Sequence, residues 1–128
     1  MGESECLGVF DTEMDVVESK VIAITEPNHP IADGVGTGRV TFTTDTTPSA
    51  NVGQATADAT VIASVGSNDS AVVLPAGAQT SAGQPAAGCR IALPMFKDGT
   101  SANLTRAGQT LFSNAVEHGA ANCPGDTP

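Results

Sequence analysis

Two runs of this chain have no polar face. In "KVIAIT" (20–25) and "AVVLP" (71–75) apolar residues follow one another without the alternation of a half-buried strand. Short runs rich in β-branched residues read as strands covered on both sides. Any fold open to the chain must therefore hide two faces of a sheet. The material for doing so is limited. Among 128 residues there are four Phe and no Trp or Tyr, so Ala, Val, Ile and Leu must form the core. The large area that aromatic side chains contribute to burial is mostly missing.

The other segments fill out a sheet. "GRVTFTT" (38–44) alternates, with Val40 and Phe42 on one face and Arg39, Thr41 and Thr43 on the other. "ATVIASV" (59–65) and "AVVLP" flank "GSNDS" (66–70), whose Gly, Asn and Asp tolerate positive φ, and the three segments read as a hairpin. "CRIALPMF" (89–96) sets Cys89, Ile91 and Leu93 on one side of a fifth strand. "NHPIADGV" (28–35) reads as one helical turn. Pro30 suits its first position, Asn28 or His29 its cap, and Gly34 its left-handed exit. "LTRAGQTLFSNAVEHGA" (104–120) has Leu104, Ala107, Leu111, Ala115 and Val116 at helical spacing, with Thr105 as N-cap and Gly119 as stop. Residues 45–58 are a polar loop, and 76–88 a loop of small residues.

The organisation expected is an irregular acidic segment (1–19), an α/β domain (20–121) and a flexible tail (122–128). Five strands and one full helix leave sheet surface over, because a single helix covers part of one face. Either the sheet curls on itself or other protein covers it, so a protein partner or a homo-oligomer is expected.

Charge narrows the range of partners. Five Lys and Arg face fourteen Asp and Glu, a net charge of −9. A domain this acidic repels phosphate backbones and anionic membrane surfaces, which argues against nucleic-acid and membrane binding. No run approaches the ~18 apolar residues of a membrane span. "MGESEC" has neither the basic nor the apolar region of a signal peptide. An extracellular or periplasmic location would need a signal further upstream; otherwise the location expected is cytoplasmic.

Candidate chemistry is sparse. The three cysteines, Cys6, Cys89 and Cys123, form no C-x-x-C pair, and with His29 and His118 they make a poorly spaced zinc set. Cys89 lies in an apolar run and reads as a buried small hydrophobe. Cys6 and Cys123 can bridge if the two ends meet. His29 reads as a cap or hinge, with a competing role as a base paired with Asp33 or Glu26. His118, at the end of the last helix, suits the helix dipole. "DTEMD" (11–15) offers Asp11, Glu13 and Asp15 as alternating oxygen ligands for calcium, but lacks the glycine and distal glutamate of an EF-hand loop. Neither a G-x-S-x-G elbow, a P-loop nor a G-x-G-x-x-G fingerprint occurs, and no cofactor is expected.

The order of phrases has a family likeness. A strand followed by "HPIADGV", then alternating strands, "AVVLPAG", "GCRIALPMF" and "NLTRAGQTLFSNAVEHGAA" resembles the C-terminal half of class I glutamine amidotransferase-like domains, most of all the ThuA-like branch. The resemblance spans about residues 20–121 and implies a flavodoxin-like α/β sheet, here a C-terminal portion of one. It implies no intact site. The family's catalytic members carry a Cys in a G-x-C-x-G elbow and a His-x-Glu pair. Cys6 stands in "SECLG" beside Glu5, whose charge opposes thiolate formation. His29 is followed by Pro30 and Ile31, and His118 by Gly119 and Ala120. The expected function is therefore a non-catalytic amidotransferase-like module for binding or assembly. One alternative is a hydrolase or amidotransferase-type enzyme whose site, with His29, Asp33 and Cys6, is completed by a further segment or partner. The other is an acidic calcium-binding extracellular module.

Overall fold

The computed structural model describes residue 10 and residues 15–46, 48, 50–95, 99 and 102–126. In chain order the elements are strand β1 (Asp15–Val17), β2 (Val21–Ile24), a 3-10 turn (Pro30–Ala32), β3 (Gly38–Thr41), β4 (Ala50–Val52), β5 (Thr60–Val65), β6 (Asn68–Leu74), β7 (Arg90–Ala92) and helix α1 (Arg106–Ala120). The five expected strands form one sheet in the order β3-β2-β5-β6-β7, and β1 and β4 pair separately as a two-stranded ribbon.

The class is mixed α/β. The sheet, however, is antiparallel at every pairing: β2 with β3 and β5, β5 with β6, β6 with β7. A flavodoxin-like sheet is parallel, and each parallel neighbour needs a crossover of a dozen or more residues. Here β5 and β6 are joined by Gly66 and Ser67 alone, with Val65 opposite Asn68. Gly66 takes φ +60°, which a two-residue hairpin of this hand requires.

The sheet's two faces build two cores. On one, Ile22, Ile24, Ala71 and Val73 pack with Ile31, Phe42, Leu111 and Ala115 of the turn, the β3 end and the helix. On the other, Val72, Leu74 and Ala92 pack with Phe10, Ala78 and Ala86. Strand period explains the split along β6, since successive side chains point to opposite faces. On β5 the adjacent Ile62 and Ala63 both join the first core, because the pairing with β6 shifts register between Val61 and Ser64.

The second core draws on segments that the sequence left without a structural role. Of the two kinds of cover left open for the surplus sheet surface, the chain itself supplies one on this face, where Val72 and Leu74 are fully buried. The loop 76–88 is part of that cover: Gly77 and Ala86 donate to Ala86 and Ala78 carbonyls, closing a tight hairpin that buries Ala78 and Ala86. The N-terminal segment is not wholly irregular, since β1 pairs with β4 and Phe10 bridges Ala55 with its ring buried against Gly53. "KVIAIT" is also less covered than expected, with Val21 and Ala23 half-buried.

Helix α1 is tied to β3 at its start. Thr105 accepts the Gly108 N–H at its side-chain oxygen, donates that hydroxyl to Thr41 O at 2.7 Å, and donates its backbone N–H to Phe42 O. Gly108, Leu111, Ala115 and His118 form the buried stripe. Val116, expected in that stripe, is 56% exposed.

Candidate functional site

The two histidines of the chain meet, and an aspartate from the C-terminal segment lies between them. His29 Nε2 is 3.0 Å from both carboxylate oxygens of Asp126, and His118 Nε2 is 2.6 Å from Oδ2. The rings stand edge to face with centroids 4.9 Å apart. His118 is buried, and His29 and Asp126 are each about nine-tenths hidden at the side chain.

Each group is set by local structure. His29 caps the 3-10 turn: Ile31 N–H donates to its Nδ1 at 3.1 Å, while the His29 N–H donates to Glu26 O. Pro30 follows at the first helical position, where its missing N–H has no partner to lose. Gly34 provides the exit at φ +74°. An Nδ1 that accepts carries no hydrogen, so the ring proton sits on Nε2 and is donated to Asp126. His29 therefore does two jobs at once, and its acidic partner is Asp126 rather than Asp33 or Glu26.

His118 reaches the site from the last turn of α1. The helix does not stop at Gly119. It runs to Ala120, and the chain then turns through Asn122 and Cys123, both at positive φ (61° and 53°). Their N–H groups return to Gly119 O and His118 O, satisfying carbonyls that the helix end would leave unpaired. Left-handed backbone is unfavourable for Cys, and a covalent bond holds it there: Cys123 is bridged to Cys89, with Cα atoms 6.0 Å apart. Cys123 is thereby not available to Cys6, the pairing that the sequence left open, and Cys89 is not the simple buried hydrophobe that its apolar run suggested. A further turn, in which the Asp126 N–H donates to Cys123 O, brings the carboxylate back over both rings.

Asp33 is exposed; its carbonyl accepts from Asn114 Nδ2 at 2.7 Å. Together with Glu117 and His118 it lines a cavity of about 300 Å³. Cys6, Asp11 and Glu13 lie outside the described residues. Asp15 is exposed on β1, its Oδ1 accepting the Val16 N–H.

A second feature lies at the sheet edge. Between β7 and α1 lies a groove of about 360 Å³, lined by Ile91, Leu93, Ala115 and Val116 together with Cys89 of the disulfide. Phe112, one turn before Val116, is 49% exposed. Among the described residues, Val16, Phe112 and Val116 are the large apolar side chains left open to solvent. No helix among the described residues is long and apolar enough to cross a membrane.

Comparison with known protein families, with curated proteins and with solved structures finds no match for the chain. The likeness to amidotransferase-like domains therefore stands on the sequence phrases alone.

Proposed function

We propose that this chain is a non-catalytic α/β module that binds another polypeptide along the β7–α1 edge. The observation that carries the reading is the contrast between the sheet's two edges. β3 ends the sheet on one side with exposed Gly38, Arg39 and Thr41, a polar and charged border of the kind that discourages further pairing. β7 ends it on the other beside an apolar groove, with Phe112 and Val116 on the adjoining helix. A segment laid along this edge would find apolar seats for its side chains in the groove.

The amidotransferase-like kinship belongs to this proposal and rests on the ordered phrases of residues 20–121. The antiparallel sheet weighs against a flavodoxin-like core, and the binding role rests on the sheet edge alone. The non-catalytic character is supported by His29, whose two ring nitrogens are both engaged, one on the Ile31 amide and one on Asp126. The Cys89–Cys123 bridge supports a role in oxidising surroundings, where disulfides persist.

Sedimentation of the oxidised chain, with a hydrophobic dye as a second reading, tests the proposal. Self-association or dye binding that is lost in Val116→Asp is the expected result. A monodisperse monomer with no dye-binding surface would remove the edge as an interaction site.

A further inference from the structure

The geometry points to a site for one zinc-type divalent cation between His29, His118 and Asp126. The chain has only two histidines, and the fold brings their Nε2 atoms to one carboxylate from a segment 97 residues from the first and 8 from the second. The three ligand atoms lie within 4.8 Å of one another. Tetrahedral zinc, with bonds of about 2.0–2.1 Å to imidazole and carboxylate, sets its ligand atoms roughly 3.3 Å apart, so adjustments of the order of 1 Å would form the set. Two imidazoles and one carboxylate suit zinc and its d-block neighbours better than calcium or magnesium, which prefer all-oxygen ligands.

Two surroundings favour a cation there. The cavity beside His118 is lined also by Asp33 and Glu117, two acidic residues that add negative potential near the site. The chain as a whole is strongly acidic, at −9. The donors are also held from behind, His118 by the helix and Asp126 by the turn fixed at the Cys89–Cys123 bridge.

Loading has one structural consequence that separates this site from casual binding at surface acids. In the metal-free protein the His29 proton sits on Nε2, and Nδ1 accepts from Ile31. A metal on Nε2 moves that proton to Nδ1, where it faces the Ile31 N–H. The cap on the 3-10 turn must then open. Cation binding and the His29 cap exclude each other, so the metal reports itself at the Ile31 amide.

The test is titration of the oxidised 128-residue chain carrying Cys6→Ser, which removes the one thiol outside the bridge. Zn²⁺ binding is followed by calorimetry, Co²⁺ by its visible absorption, and the Ile31 amide by hydrogen exchange. One equivalent should bind at micromolar concentration, with tetrahedral Co²⁺ bands and faster exchange at Ile31. Asp126→Asn and His118→Gln should each weaken binding at least ten-fold. Absence of binding at micromolar metal overturns the site, as does equal affinity in folded Asp126→Asn or His118→Gln protein. Binding that leaves Ile31 exchange unchanged in the parent chain also overturns it, and that reading needs no site variant to fold.

Discussion

Gly108 of the helix lies directly against the carbonyl of Phe42, so close that a Cβ on Gly108 would overlap that oxygen. The contact is fixed from both sides, because Thr105 donates to Phe42 O and to Thr41 O just ahead of it. Two effects compete in Gly108→Ala. Alanine favours an isolated helix by about 1 kcal/mol over glycine. Overpacking a tight contact costs about 1–3 kcal/mol, toward the upper end when the obstacle is backbone. Sterics should win, with a net loss of about 1–2 kcal/mol in urea unfolding. An unchanged or raised midpoint would mean that the helix can lift off β3.

The Cys89–Cys123 bridge closes a loop with a sequence separation of 34 residues. Chain-entropy reasoning gives such a loop about 3–4 kcal/mol of stabilisation. For a domain with few aromatics that is a large share of a typical total of about 5–15 kcal/mol. Unfolding with and without a thiol reductant should differ by that amount. Thiol titration of the unfolded, oxidised chain should count one free cysteine, Cys6. A count of three would mean that the bridge does not form.

Much of the scaffold was legible in the sequence because it obeys local rules. The Gly66 hairpin, the His29–Pro30–Gly34 turn and the Thr105 cap each rest on a residue type with one strong conformational use. What escaped depends on contacts between distant segments. Phe10 gave no periodic signal, yet it closes the second core. Residues 76–88 look like filler, but alanines at 78 and 86 are small enough to lie flat on Val72 and Leu74. Direction of strand pairing was not written in the apolar runs either, since a strand covered on both faces reads alike in parallel and antiparallel sheets. The candidate site was half legible. His29 announced itself by its cap, whereas Asp126 sits in "CPGDTP", and nothing in its spacing points to a histidine 97 residues away.

The second core covers the sheet face that carries Val72 and Leu74, and Phe10 is the one aromatic ring in it. Phe10→Ala should cost about 3–5 kcal/mol, the range for truncating a buried aromatic. The variant should also bind a hydrophobic dye that the parent binds less, as Val72 and Leu74 gain access to solvent. A loss below about 1 kcal/mol would show that the N-terminal residue is not part of the folded core.

Asp126 holds the C-terminal turn down by three close contacts to two rings. Hydrogen bonds to a charged group contribute about 1.5–3 kcal/mol, and removing one partner leaves the buried His118 N–H unsatisfied. Asp126→Ala should therefore destabilise by about 2–3 kcal/mol, whereas Asp126→Asn, which keeps one acceptor oxygen, should lose less. The loss should be local as well as global. The N–H of Cys123, which donates to His118 O, should exchange faster in Asp126→Ala while amides of β5 and β6 slow and quicken only with overall stability. Equal exchange at Cys123 in variant and parent would mean that the disulfide alone fixes the turn, and that the carboxylate between the two histidines has no part in holding it.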